Sequence, residues 1–152
     1  MKSILRTILI VLCVASAAQA QTSQQRNPVV AFHNAVMGDA TLLGVYLMTP
    51  NDPQQVPTAK KGQSDLKALV GPALDAAAGN ADLKAAIKAF YIAADGYFQS
   101  VFTLTGLPDY VPGIGTVPSS QQVQLSATQA RLRADLDAKN SALELEMDLA
   151  SK

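Results

Sequence analysis

Between Leu83 and Leu104 the apolar residues Leu83, Ile87, Phe90, Ala94, Tyr97, Val101 and Leu104 recur at alternating spacings of four and three. An α-helix turns once every 3.6 residues, so this spacing lays all seven side chains along one face. A strand would scatter them to both sides. A second set, Tyr91, Phe98 and Phe102, makes the same segment apolar around more than half of its girth. A helix of that kind must be surrounded by other helices to stay in water. Asn80 supplies an N-cap at its start, and Gly106 followed by Pro108 stops it.

The remaining segments supply such neighbours. Asn27-Pro28 is a helix start, with a capping side chain and a proline where no backbone hydrogen bond is lost. Val29, His33, Val36, Ala40, Leu43 and Leu47 then mark one face of a helix that ends near Thr49, before Pro50. Residues 50–63 contain Pro50, Pro53, Pro57 and Gly62 and are expected to form a loop. Ser64-Asp65 is expected to cap a shorter second helix with the face Leu66, Leu69, Val70, Ala73 and Leu74. Pro72 predicts a kink or break within it, and Gly79 a C-cap. Residues 106–125 form a long Pro/Gly-rich loop before the last helix. Ser126 and Gln129 match a capping box, and Leu132, Leu136, Leu143, Met147 and Ala150 mark the buried face that follows. Arg131–Asp135 and Arg133–Asp137 are spaced as ion pairs worth about 0.3–0.5 kcal/mol each. The fold expected is an all-α four-helix bundle, up-down-up-down by default, with the long loop spanning the bundle end or crossing it.

Residues 1–20 read as a secretory signal peptide. Lys2 and Arg6 precede the apolar run Ile8–Ala18, and Ala18-Gln19-Ala20 is a cleavage site before Gln21. The run is short for a membrane span, which needs about 20 residues. Leu12 before Cys13 argues against a lipoprotein. Residues 21–27 are then a loose mature N-terminus and 28–152 a single domain, periplasmic or extracellular. The leader takes two of the twelve basic residues and none of the twelve acidic ones, leaving ten against twelve, a formal charge of −2. A surface so balanced argues against nucleic acid, whose phosphates demand a basic footprint. Cys13 is the only cysteine, so the mature chain has no disulfide and no thiolate ligand.

His33 is the only histidine and falls within the apolar stripe of the first helix. A polar ring there needs a hydrogen-bond partner, and a satisfied core or bundle-end histidine is the simpler reading. The sharper reading is a ligand. In an antiparallel bundle His33 lies about 7 Å inside its helix start and Met147 about 5 Å from its helix end, so the two could face each other as a haem pair. Four-helix cytochromes show that the architecture permits this, an analogy of fold alone. Met37, one turn after His33, makes copper thinkable, whereas zinc needs more ligands than one histidine provides.

No catalytic constellation stands out. No serine has a G-x-S-x-G context, and Asp135/Asp137 and Glu144/Glu146 are each spaced to point apart on a helix. Gly113-Ile114-Gly115 lacks the spacing of a phosphate loop. Asp95 adjoins Gly96 in the most apolar helix and reads as part of a narrow polar strip. An enzyme is not expected.

Recognition by surface remains. Leu107, Tyr110, Val111 and Ile114 lie on the stiffened loop and form either a lid over the bundle end or a binding element. Tyr91, Phe98 and Phe102 lie under that lid or form a homo-oligomer interface on helix three. The expectation is an exported helical protein that acts by binding a protein partner or an apolar small molecule. The alternative is a haem- or copper-binding electron-transfer or metal-handling bundle built on His33 with Met147 or Met37.

Overall fold

A computed structural model describes residues 27–49, 52–105 and 119–152. They form four α-helices, α1 (Pro28–Leu47), α2 (Gln55–Ala76), α3 (Ala81–Thr105) and α4 (Ser119–Ala150). The signal peptide expected over 1–20, the loose N-terminus expected over 21–27 as far as residue 26, and the loop residues Leu107, Tyr110, Val111 and Ile114 lie outside the described residues.

The described residues form an all-α four-helix bundle. α1 packs on α2, α2 on α3 and α3 on α4, with α1 also touching α3 across the middle. Contacts between neighbours run in opposite directions along the two helices. Gln55 Nε2 at the start of α2 donates to Tyr46 O and Thr49 O at the end of α1, at 3.1 and 3.0 Å. Gln63 of α2 reaches Asp95 and Gln99 of α3, and Arg133 of α4 lies over Tyr97 of α3. α3 is surrounded as its apolar girth requires. Leu83, Ile87, Phe90, Ala94, Tyr97 and Val101 are all buried, and Phe90 meets Phe32 of α1 edge-on at 5.6 Å.

The two asparagine caps form as the sequence indicates. Asn27 Oδ1 accepts from Val29 N at 2.9 Å, and Asn80 Oδ1 from Leu83 N at 3.0 Å. The other boundaries differ. α2 begins at Gln55 instead of after Ser64, because Asp52 starts it. Asp52 Oδ1 accepts from Gln54 N and its carbonyl from Gln55 N. Pro57 then falls in the first turn, where no backbone N–H has an intrahelical acceptor. Gly62 is helical and required: a Cβ there would lie 2.3 Å from Cζ of Phe98, whose ring is fully buried. The helix also runs through Pro72, which stands exposed on the solvent side. Ala77 supplies the C-cap, with Gly79 in the turn beyond. α4 starts at Ser119, so Ser126 lies inside the helix and the expected capping box is not its start. The Ser/Gln-rich first turns carry no apolar stripe to betray them, yet glutamine is a fair helix former. Of the two expected ion pairs on α4, Arg133–Asp137 forms, at 3.0 Å, and Arg131–Asp135 does not.

Two core residues of α1 escape the four-three reading. Phe32, fully buried, stands beside His33 in the sequence, and Asp39 is only 3 % exposed. Asp39 is held from α2: Lys61 Nζ donates to both of its carboxylate oxygens, at 2.8 and 2.9 Å, and to Asp65 Oδ2 at 2.9 Å. Burial raises the Asp39 pKa above its ordinary value, and the Lys61 ammonium pulls it back down. The two carboxylates in turn raise the pKa of Lys61.

Candidate functional site

Three of the four seams around the bundle are closed by direct helix packing. The fourth, between α1 and α4, is spanned by side chains. Arg133 Nη1 donates to Ala40 O at 3.0 Å, and His33 Nε2 donates to Asn140 Oδ1 at 2.6 Å. Long polar side chains hold the two backbones apart, and a cleft opens at each end of the seam.

The larger cleft, of about 560 Å³, lies between the C-terminal half of α1 and the N-terminal half of α4, with α3 as its floor. Thr41, Gly44, Val45, Leu47 and Met48 line it from α1, Tyr97 from α3, and Gln129, Ala130 and Arg133 from α4. Pockets that hold small organic molecules enclose roughly 300–1,000 Å³ and are mostly apolar with few polar groups, as here. The apolar wall continues onto the surface: Leu42, Val45 and Met48 are 50, 56 and 85 % exposed. A Cβ on Gly44 would meet both Arg133 Nη1 and Tyr97 Oη at 3.6 Å, so the glycine keeps space open between these polar tips.

Three polar groups converge on this cleft. The Arg133 guanidinium lies 5.8 Å from the centre of the Tyr97 ring, with Nε donating to Asp137 Oδ1 at 3.0 Å. Burial pushes the Tyr97 hydroxyl above its ordinary pKa, outweighing the opposite pull of Arg133, so it remains a donor throughout the neutral range. Gln129 Nε2 is buried and has no hydrogen-bond partner, an uncommon state for a polar atom in a folded protein.

The smaller cleft, of about 300 Å³, is lined among the described residues by Asn27, Val29, Val30, Leu83, Met147, Ala150 and Ser151, none of them charged. Met147 therefore sits in this cleft. His33, whose side chain is 12 % exposed, is engaged on the seam by Asn140, with Asn34 Oδ1 3.0 Å from Nδ1 and Glu144 Oε1 3.4 Å from Nε2. Met37 packs at the edge of the core. Among the described residues no group of three or more His, Cys, Asp or Glu side chains gathers. Phe98 belongs to the core under Gly62, not to a surface, while Tyr91 and Phe102 are half-buried. Asp95 is half-buried too and accepts from Gln63 Nε2 of α2 at 3.3 Å.

Tyr97 is the one lining residue of the larger cleft that the α3 pattern singled out, and it did so as core. Arg133 was legible only as half of an ion pair, and Gln129 only as part of a cap. Their convergence depends on the pairing of α1 with α4 across about ninety residues of chain, which no local pattern encodes. No helix among the described residues is long and apolar enough to cross a membrane. No protein-family model, curated protein or solved structure matches the chain, so its function must be argued from the geometry of this seam.

Proposed function

We propose that the protein is an exported carrier that binds an apolar small molecule in the larger α1–α4 cleft. The observation that carries this reading is the seam itself. A bundle held by its apolar core gains by closing such a gap, yet here Gly44 and the Arg133 strut keep about 560 Å³ open beside an exposed apolar rim. The role requires no catalytic group, and the side chains that line the cleft offer shape, apolar contact and a few hydrogen-bond donors.

The test is titration of the mature protein with a neutral fluorescent apolar probe, N-phenyl-1-naphthylamine. Saturable one-to-one binding is expected. Gly44→Leu should abolish it by filling the space between Arg133 and Tyr97, with the helical circular dichroism and the melting transition retained. Failure of the probe to saturate, or unchanged binding to a folded Gly44→Leu variant, would overturn the proposal.

A further inference from the structure

We infer that the outer face of α4 pairs, antiparallel, with the same face of a second copy of the chain. The inference does not rest on the cleft. α4 is apolar on two opposite sides. One side, with Leu136 and Leu143, is buried in the core. Half a revolution away, Ala127, Ala134, Ala138, Ala142, Leu145 and Leu149 follow one another at helical spacing. All six are exposed, Leu145 by 58 % and Leu149 by 54 %. Alanine alone on an exposed helix answers to helix propensity. Two leucines one turn apart and in line with it leave an apolar face in need of a cover.

The charged side chains from Arg131 to Lys152 divide along the same line. Arg133 pairs with Asp137, Lys152 with Asp148, and Glu144 accepts from Asn140. The side chains of the other four, Arg131, Asp135, Lys139 and Glu146, have no ion-pair or hydrogen-bond partner among the described residues. These four are spaced by four, four and seven residues, so they form a row along one flank of the apolar face.

A two-fold axis beside Ala138 makes this face complementary to itself. Turning one helix end for end sets Ala138 against the partner's Ala138, Ala134 against the partner's Ala142, and Leu149 against the partner's Ala127. The leucine of each copy thus meets a small residue of the other, while Leu145 lies over the aliphatic stem of the partner's Arg131. The same turn brings the charged flank against its own counterpart. Arg131 then stands one residue from the level of the partner's Glu146. Asp135 stands two residues, about 3 Å along the axis, from the level of the partner's Lys139. All four charges are answered, and each pair forms twice. A parallel pair would instead set Arg131 beside the partner's Arg131 and crowd the four leucines at one end. The face is a single helix pair about 33 Å long, a small interface, so association in the micromolar range is expected.

The experiment is sedimentation equilibrium of the mature protein from about 1 to 200 µM, where a reversible monomer–dimer equilibrium is expected. Ala138→Glu places two carboxylates face to face at the axis and should weaken the dimer by about ten-fold or more, with the helical circular dichroism retained. Arg131→Glu should weaken it by about five-fold, and adding Glu146→Arg to that variant should restore the wild-type constant to within about two-fold. A protein that stays monomeric throughout leaves this face to a partner other than itself and overturns the inference. A dimer that survives Ala138→Glu, or a double variant no stronger than Arg131→Glu alone, would overturn it as well.

Discussion

The α2–α3 seam and the α1–α4 seam belong to the same bundle and are built in opposite ways. Where α2 meets α3, Gly62 has no side chain, so the Phe98 ring sits directly against the α2 backbone. The small residues Ala59 and Ala73 are likewise fully buried along α2. Where α1 meets α4, the residues that bridge are His33, Asn140 and Arg133, each long and polar. Short side chains let backbones approach, and long polar ones prop them apart while satisfying each other. The contrast separates the part of the protein that holds it together from the part proposed to take a ligand.

Adding a methyl group to the closed seam should have the largest effect. Gly62→Ala puts a Cβ 2.3 Å from Cζ of a ring that is fully buried. Overpacking of this kind costs about 3 kcal/mol, against which the gain in helix propensity from removing a glycine, about 1 kcal/mol, is the smaller term. Chemical denaturation of the variant should show most of that loss. Pairing it with Phe98→Leu should recover part of it, since the smaller side chain leaves room for the methyl. Full stability of Gly62→Ala alone would mean that α2 and α3 are not held this closely.

The α1–α2 seam contains an exception to its own rule, the buried carboxylate of Asp39. Its partner Lys61 is 62 % exposed, yet without it Asp39 would be a buried charge with no cation. Lys61→Ala should therefore cost about 2 kcal/mol at neutral pH. The sign of the pH dependence follows from the raised pKa of Asp39. The folded state holds that proton more tightly than the unfolded chain, so the contribution of Asp39 to stability falls as pH climbs from its ordinary value through its folded one. Removing Lys61 raises the folded value further. The deficit of the variant should thus shrink as the solution is acidified toward the usual carboxylate range. At the alkaline end it should shrink again, because the raised pKa of Lys61 means its own contribution is lost as pH rises through that value. Melting temperatures measured from acid to alkaline pH trace both limbs, and a deficit that does not change with pH would show that the pair contributes through packing alone.

What the sequence made legible follows the same division. The apolar stripe of α3 from Leu83 to Val101 and the caps Asn27 and Asn80 are local signals that the structure bears out, while the side chain of Leu104 lies outside the described residues. The loop expected over 50–63 gives way to helix from Gln55 onward, because Pro57 and Gly62 read as breakers in the sequence. One sits where a helix needs no N–H, and the other where a neighbouring helix allows no side chain. Asp39 was missed because an acid on an apolar stripe looks solvated until its distant lysine is known. The cleft was beyond reach for the same reason. Thr41, Tyr97 and Arg133 lie far apart in sequence, and only the assembled bundle brings them to one place.

The smallest effect is expected on the open seam, at His33. The ring gives up its hydrogen bond to Asn140 and an exposed one to its neighbour Asn34 when it is replaced, and Asn140 keeps its donor to Glu144 Oε1 at 3.1 Å. His33→Leu therefore loses about 1 kcal/mol of hydrogen bonding between partly exposed groups. It regains a similar amount by placing an apolar side chain next to Phe90, whose ring centre lies 5.9 Å away. The net change should stay within about 0.5 kcal/mol of zero, and binding in the larger cleft should be unaffected, because that cleft is held by Arg133. A loss well above 1 kcal/mol would show that the His33–Asn140 bridge is a main strut of the seam. A ligand role makes a different demand. If His33 held haem or copper, protein recovered from cells would carry a Soret band or bound copper that the leucine variant lacks. Stability and absorption measured on the same pair of proteins therefore separate a strut, a tolerated ring and a ligand.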